Sequence, residues 1–242
     1  MEFFDYAGVQ QTVDPPYVNK KWVLFGDSLT EECGGEDWNE YRGTDRYAEG
    51  DARRWNGYKF ASRIGREFRL TIDNRAHSGS NMYHKDDYAN AQGIAMLNAL
   101  ITEIESGTTE CPDYITVAFG TNTKIGSVGT PEDTSEAITT VYGALKYFIE
   151  KLRMLQETYN PNMVFGFVLP PQVDWYDSGH CVAEAREAMK MVLDSDEYAA
   201  PYVDMWKESG ITPEMLPDGV HIFDERTNNL YYRAMRRFMM GL

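Results

Sequence analysis

Five short, β-prone apolar runs, Trp22–Phe25, Arg69–Ile72, Tyr114–Phe119, Met163–Leu169 and Pro201–Met205, are separated along this chain by stretches of helical periodicity. That alternation constrains the fold more than any other feature. Strands that alternate with helices return by crossovers, which makes a parallel sheet covered by helices on both faces. The helical patterns are Tyr58–Phe68, Asn90–Ile104, Pro131–Tyr159, Val182–Leu193 and Asn228–Met240. In the longest, Ile138, Val141, Tyr142, Leu145, Phe148, Ile149, Leu152 and Leu155 recur at i, i+3, i+4 spacing. Pro131 before Glu132 and Asp133 suits its start, and Asn160-Pro161 its end.

A chain of 242 residues can hold one α/β domain or two small ones. No internal repeat or low-complexity linker divides it, so one domain is expected over residues 21–242, after an extended arm at 1–20 carrying Asp14-Pro15-Pro16. With 43% hydrophobic and 25% charged residues the balance is globular rather than disordered. The formal charge of −15 repels phosphate backbones and anionic membrane surfaces, and no Lys/Arg cluster relieves it, which excludes nucleic acid as a partner. No run approaches the length of a membrane span, so no insertion is expected. Met1-Glu2-Phe3-Phe4-Asp5-Tyr6 lacks the basic and apolar regions of a signal peptide. Cys33, Cys111 and Cys181 are odd in number and widely spaced, against a disulfide framework, and no spacing suggests a metal site. The expectation is a cytoplasmic protein, or one released without a signal peptide, with association with a phage or cell-surface assembly compatible. The oligomeric state is not legible.

Ligands of a parallel α/β sheet bind at the carboxyl ends of its strands. The first run stops at Gly26-Asp27-Ser28-Leu29, a tight turn that lifts a hydroxyl out of the sheet edge. The second leads into Asp73-Asn74-Arg75-Ala76-His77-Ser78-Gly79-Ser80, the third into Gly120-Thr121-Asn122, and Asp218 and His221 stand near the C-terminus. Singly, each has an ordinary structural role: Asp218-Gly219 is a common turn dipeptide, and Asn122 could cap a helix. The first three fall on one edge of the sheet, and all four taken together in this order read as the parts of an acyl-transfer site.

The blocks FGDSLTE, NRAHSG, FGTN and DGVH resemble, in order, those of the SGNH hydrolases, or GDSL esterase/lipase family, over roughly residues 20–242. The resemblance implies a three-layer α/β/α flavodoxin-like sandwich with a central parallel sheet of about five strands. It also implies a serine esterase with neither metal nor organic cofactor. Ser28 would be the nucleophile, His221 its general base and Asp218 the residue that orients the imidazole; the Ser28 and Gly79 backbone N–H groups and the Asn122 carboxamide would bind the oxyanion. A serine hydroxyl needs a base to take its proton, and oxyanion donors act on charge that exists only in the transition state. Two positions depart from the family blocks: Ala76 stands where a glycine is common, and Thr123 where an aspartate is. They bear on the turn geometry and on what holds Asn122.

Residues 30–57 carry Trp38, Tyr41, Tyr47 and Trp55 among polar residues, and a second aromatic loop carries Trp175 and Tyr176 after Pro170-Pro171. His77, two residues before Gly79, is a further candidate for lining the site, while His84 and His180 are assigned to loop surfaces and Cys33 to a buried small residue. Flat aromatic faces bordered by carboxylates and amides suit a sugar better than a long acyl chain, so Trp38, Trp55, His77, Trp175 and Tyr176 are the candidate substrate contacts. The aromatics could equally pin a long loop to the domain. The expected reaction is hydrolysis of a small-molecule or glycan ester, with acetyl on a carbohydrate preferred. The alternatives are a lipase or thioesterase for longer chains, and a weakly active glycan-binding module.

Overall fold

The structure, a computed structural model, describes residues 3–4, 10–11, 17–31, 60–84, 92–175, 179–222 and 224–242. Near the N-terminus two short strands, β1 (Phe3–Phe4) and β2 (Gln10–Gln11), pair antiparallel within the segment expected to be an extended arm. The arm's end is docked: Tyr17 is buried, and its hydroxyl donates to the Met239 carbonyl at 3.1 Å.

The main sheet consists of β3 (Lys21–Gly26), β4 (Thr71–Asn74), β5 (Tyr114–Ala118), β6 (Val164–Leu169) and β7 (Tyr202–Asp204). Its order is β4-β3-β5-β6-β7, and every pairing is parallel. This is the doubly wound, flavodoxin-like order, in which the chain leaves the first strand to one side and later returns to the other. The switch point lies between β3 and β5, so the loops after those two strands flank the crevice where such sheets bind ligands.

Strand alternation divides the core. Val23 and Phe25 of β3, with Ile115 and Val117 of β5, face α3 (Gly93–Glu105), α4 (Val141–Thr158) and α5 (Val182–Leu193). Trp22 and Leu24 face the opposite layer, α2 (Phe60–Phe68) and α7 (Glu225–Gly241). Trp22 is fully buried, and its indole N–H is satisfied by Thr116 Oγ1 on the neighbouring strand at 3.0 Å. Two short elements, α6 (Met205–Glu208) and a 3₁₀ turn at Pro213–Met215, lead toward the C-terminal loop.

Several boundaries differ from the sequence reading, each for a local reason. The helix expected from Pro131 begins at Val141, because Thr140 takes the N-cap: its Oγ1 accepts from Gly143 N at 3.1 Å. Residues 131–139 instead form turns in which Asp133 accepts from Thr130 and Thr140. The strand expected at Arg69–Ile72 starts at Thr71, since Arg69 adopts a left-handed φ of 56° that ends α2. The last helix starts at Glu225 rather than Asn228, capped by Asp224 Oδ1, which accepts from Thr227 N at 2.7 Å. Among the described residues, no helix is long and apolar enough to cross a membrane.

Candidate active site

β3 ends at Gly26, and the chain turns at once into the one-turn helix α1 (Ser28–Glu31). A Cβ on Gly26 would lie 2.4 Å from Thr30 Oγ1 and 2.9 Å from the Ala118 carbonyl, so only glycine lets α1 fold back so tightly. Asp27 closes the turn: its Oδ1 accepts from Leu29 N at 3.0 Å, and its carbonyl accepts from Glu31 N at 2.9 Å. Ser28 occupies the first helical position, where a backbone N–H has no intrahelical acceptor.

The C-terminal loop brings an imidazole to this serine across most of the chain's length. His221 Nε2 lies 2.9 Å from Ser28 Oγ, and His221 Nδ1 lies 2.7 Å from Asp218 Oδ2. A carboxylate only accepts, so Nδ1 carries the ring proton and Nε2 presents its lone pair to the serine hydroxyl. The other Asp218 oxygen accepts from the backbone N–H groups of Val220 at 3.0 Å and His221 at 2.8 Å. Burial works to raise the Asp218 carboxyl, but the bonds from the His221 backbone and ring and from Val220 N outweigh it and hold it below its ordinary value. Gly219 completes the turn with φ 78°, and a Cβ there would lie 2.3 Å from the Asp174 carbonyl.

Gly79 sits after β4 with φ 80°, a conformation that favours glycine. Among the described residues a Cβ built on it meets no atom within 4 Å, and it is the positive φ that calls for glycine here. Ala76 costs nothing in this turn, since its φ is not positive. The Asn74 side chain holds the segment, donating from Nδ2 to Thr30 O at 3.1 Å and accepting at Oδ1 from Ala76 N at 3.1 Å. His77 N donates to Gly26 O at 3.0 Å, and the exposed His77 ring turns back onto the Ser78 carbonyl at 2.9 Å. Asn122 is buried after β5, and its Nδ2 donates to Ser80 O at 3.1 Å, which ties the third block to the second. That bond holds Asn122 here, and the backbone carbonyl of Thr123 accepts from Cys181 N at 2.9 Å.

Residues 24–224 match the model of the GDSL-like lipase/acylhydrolase family. The chain belongs to that family. It is a carboxylic ester hydrolase. A search among curated protein sequences finds no match. Among solved structures, this GDSL-like hydrolase is similar to a protein from Lactobacillus plantarum at TM-score 0.62 and 18% identity, over 93% of this chain and 98% of that one. An alpha/beta hydrolase enzyme from the metagenome of Lake Arreo gives 0.55 and 15%, over 93% and 96%. An acetylxylan esterase from Geobacillus stearothermophilus gives 0.52 and 14%, over 93% and 96%. At these identities the likeness is one of fold, and it agrees with the parallel five-strand sheet.

Two residues of this hydrolase's site escaped the sequence reading. Glu31, at the end of α1, is buried, and its Oε2 accepts from Ser78 N at 2.7 Å, one residue before Gly79. Its only signal was its place at the end of FGDSLTE. His180, expected on a loop surface, is half-buried: its ring stacks on Trp175 with centroids 4.0 Å apart and planes 8° apart. Trp175 in turn donates to the Thr121 carbonyl at 2.7 Å, which places it beside the Asn122 block. Cys33, Trp38, Tyr41, Tyr47, Trp55 and Tyr176 lie outside the described residues. Cys111 and Cys181 are free thiols, and burial pushes Cys111 up to about 11. No three His, Cys, Asp or Glu side chains converge on a point where an ion could sit, among the described residues.

Proposed function

We propose that this GDSL-like hydrolase removes short acyl groups, acetyl above all, from the hydroxyls of a carbohydrate by way of an acyl-enzyme on Ser28. The observation that carries the mechanism is the connected path from Ser28 Oγ to His221 Nε2 at 2.9 Å and from His221 Nδ1 to Asp218 Oδ2 at 2.7 Å. His221 takes the hydroxyl proton as Oγ attacks the ester carbonyl, and Asp218 stabilises the resulting imidazolium. The negative oxygen is received by the backbone N–H groups of Ser28 and Gly79 and by Asn122 Nδ2. Among the described residues neither backbone N–H donates to a protein acceptor, and the Asn122 amide keeps a second hydrogen beyond the one given to Ser80. Collapse expels the sugar alcohol, which leaves with the proton from His221. Water, deprotonated by the same imidazole, then attacks the acyl-Ser28 ester and releases the acid.

The carbohydrate assignment is supported by the aromatic Trp175 beside the Asn122 block, where an indole can pack on the C–H face of a sugar ring. The same fold serves an acetylxylan esterase. The test is a series of p-nitrophenyl esters from acetyl to octanoyl, run beside acetylated oligosaccharides. Highest kcat/KM is expected for acetyl, with activity lost in Ser28→Ala while the melting temperature stays near wild type. A kcat/KM that climbs steadily to octanoyl, or wild-type turnover in Ser28→Ala, would overturn the proposal.

A further inference from the structure

The mechanism leaves one cluster beside the site without a task. Lys124 follows Asn122 by two residues, so the two Cα atoms lie within about 7 Å of each other. Lys124 Nζ stands 2.6 Å from His180 Nε2, and since an ammonium only donates, the imidazole accepts there. Backbone pairing fixes this contact: Lys124 and His180 form an antiparallel bridge, and Ile125 N donates to Gly179 O at 3.1 Å. The stacked Trp175 is anchored at both ends of the site. Its indole donates to Thr121 O, and the N–H of the preceding Asp174 donates to Gly219 O at 2.8 Å, next to Asp218. Lys124, His180 and Trp175 thus form a wall running from the Asn122 loop to the His221 loop.

Charge sets this wall apart. The chain holds 38 Asp and Glu against 23 Lys and Arg, so carboxylates are plentiful. Arg75, Arg186 and Arg236 pair with carboxylates, while Lys146 and Arg153 donate to backbone carbonyls. Lys124 does neither: among the described residues its ammonium contacts no carboxylate, and its acceptor is an imidazole. A half-buried ammonium is costly without an anion, and an imidazole supplies no negative charge. Ile125 beside it is 66% exposed, an apolar surface on the rim.

We propose that Lys124, backed by His180 and Trp175, binds a carboxylate carried by the ester substrate. The inference rests on the esterase reading above and adds the chemical class of the substrate. The carboxylate can belong to the alcohol portion, as in a uronic acid, or to the acyl portion, as in a dicarboxylic half-ester. Because the molecule as a whole repels anions, recognition is short-ranged and confined to this wall.

Two matched pairs of substrates test it: monoacetates of methyl galacturonoside and methyl galactoside, and monoethyl succinate against ethyl butyrate. The charged member of one pair is expected to have a kcat/KM roughly ten- to hundredfold higher, the worth of a hydrogen bond to a charged group. Preference in the first pair puts the carboxylate on the alcohol, and preference in the second puts it on the acyl group. The ratio should fall toward one in Lys124→Met and reverse in Lys124→Glu. Ratios near one in wild type for both pairs, or a ratio that survives Lys124→Met, would overturn the subsite while leaving ester hydrolysis standing. If neither pair is turned over, the short-acyl reading of the proposed function fails instead. Calorimetric titration of methyl galacturonoside, methyl galactoside and succinate into the wild-type protein then decides the subsite, with no preference for a charged probe counting against it.

Discussion

Asn122 and Asp218 are each held by contacts beyond the one proposed for catalysis, and these contacts predict how single substitutions behave. Asn122 gives one amide hydrogen to Ser80 O. The other is the proposed oxyanion donor, which acts on charge present only in the transition state. Asn122→Ala should therefore lower kcat by about 10²–10³-fold with little change in KM, checked by steady-state kinetics on an acetyl ester. An effect confined to KM would show a ground-state contact instead. Asp218 carries the pH dependence. Its folded carboxyl lies below its ordinary value of 3.8, so the ionised form is stabilised by the fold. That contribution is fully present above the ordinary value and is lost as pH falls through the depressed one. The melting-temperature gap between wild type and Asp218→Asn should then be widest near neutrality and close below about pH 4. A gap that widens on acidification would contradict the sign.

At the scale of elements, the site depends on how the loop after β4 is docked against α1. Two contacts reach α1, Asn74 Nδ2 to Thr30 O and Ser78 N to Glu31 Oε2; His77 N adds a bond to Gly26 O at the end of β3, and Ala76 N donates to Asn74 within the segment itself. Among the described residues, Glu31 is the one side chain that reaches from the helix of Ser28 to the turn of Gly79. Glu31→Ala leaves Ser78 N–H without its acceptor and frees the turn, so kcat should fall about tenfold or more with KM nearly constant. Glu31→Gln keeps an oxygen in the same place and should recover most of the loss. Equal loss in both variants would mean that the carboxylate charge, rather than the hydrogen bond, is what matters.

For the molecule as a whole, the sheet edge stays in place because both of its faces are packed. Phe148 of α4 is fully buried and meets Phe25 of β3 edge-on, ring centroids 6.0 Å apart, and Phe119 at 6.2 Å. It therefore rests against the strands that carry both Ser28 and Asn122. Phe148→Ala should cost about 3–5 kcal/mol, seen as a lower urea midpoint with the slope unchanged. A cost below 1 kcal/mol would mean that the layer collapses around the cavity.

The sequence alone determined the alternation of strands and helices, the parallel sheet and the order of the four blocks, because these rest on local periodicity and on turns that need particular residues. Gly26 and Gly79 are legible for that reason: a tight turn and a positive φ are properties of a few consecutive residues. The start of α4 was misplaced because Pro131 with Glu132 and Asp133 imitates a helix start. The real cap, Thr140, is chosen by a hydrogen bond to Gly143 and a contact with Asp133, seven residues away. Tertiary structure decided everything that spans distant segments. The Ser28–His221 bond joins residues 193 positions apart, and Glu31 meets Ser78 across 47. Lys124 and His180 are 56 residues apart and meet only because the loops after β5 and β6 lie side by side. No periodicity encodes such pairs; they exist because a parallel sheet delivers the ends of successive strands to one edge.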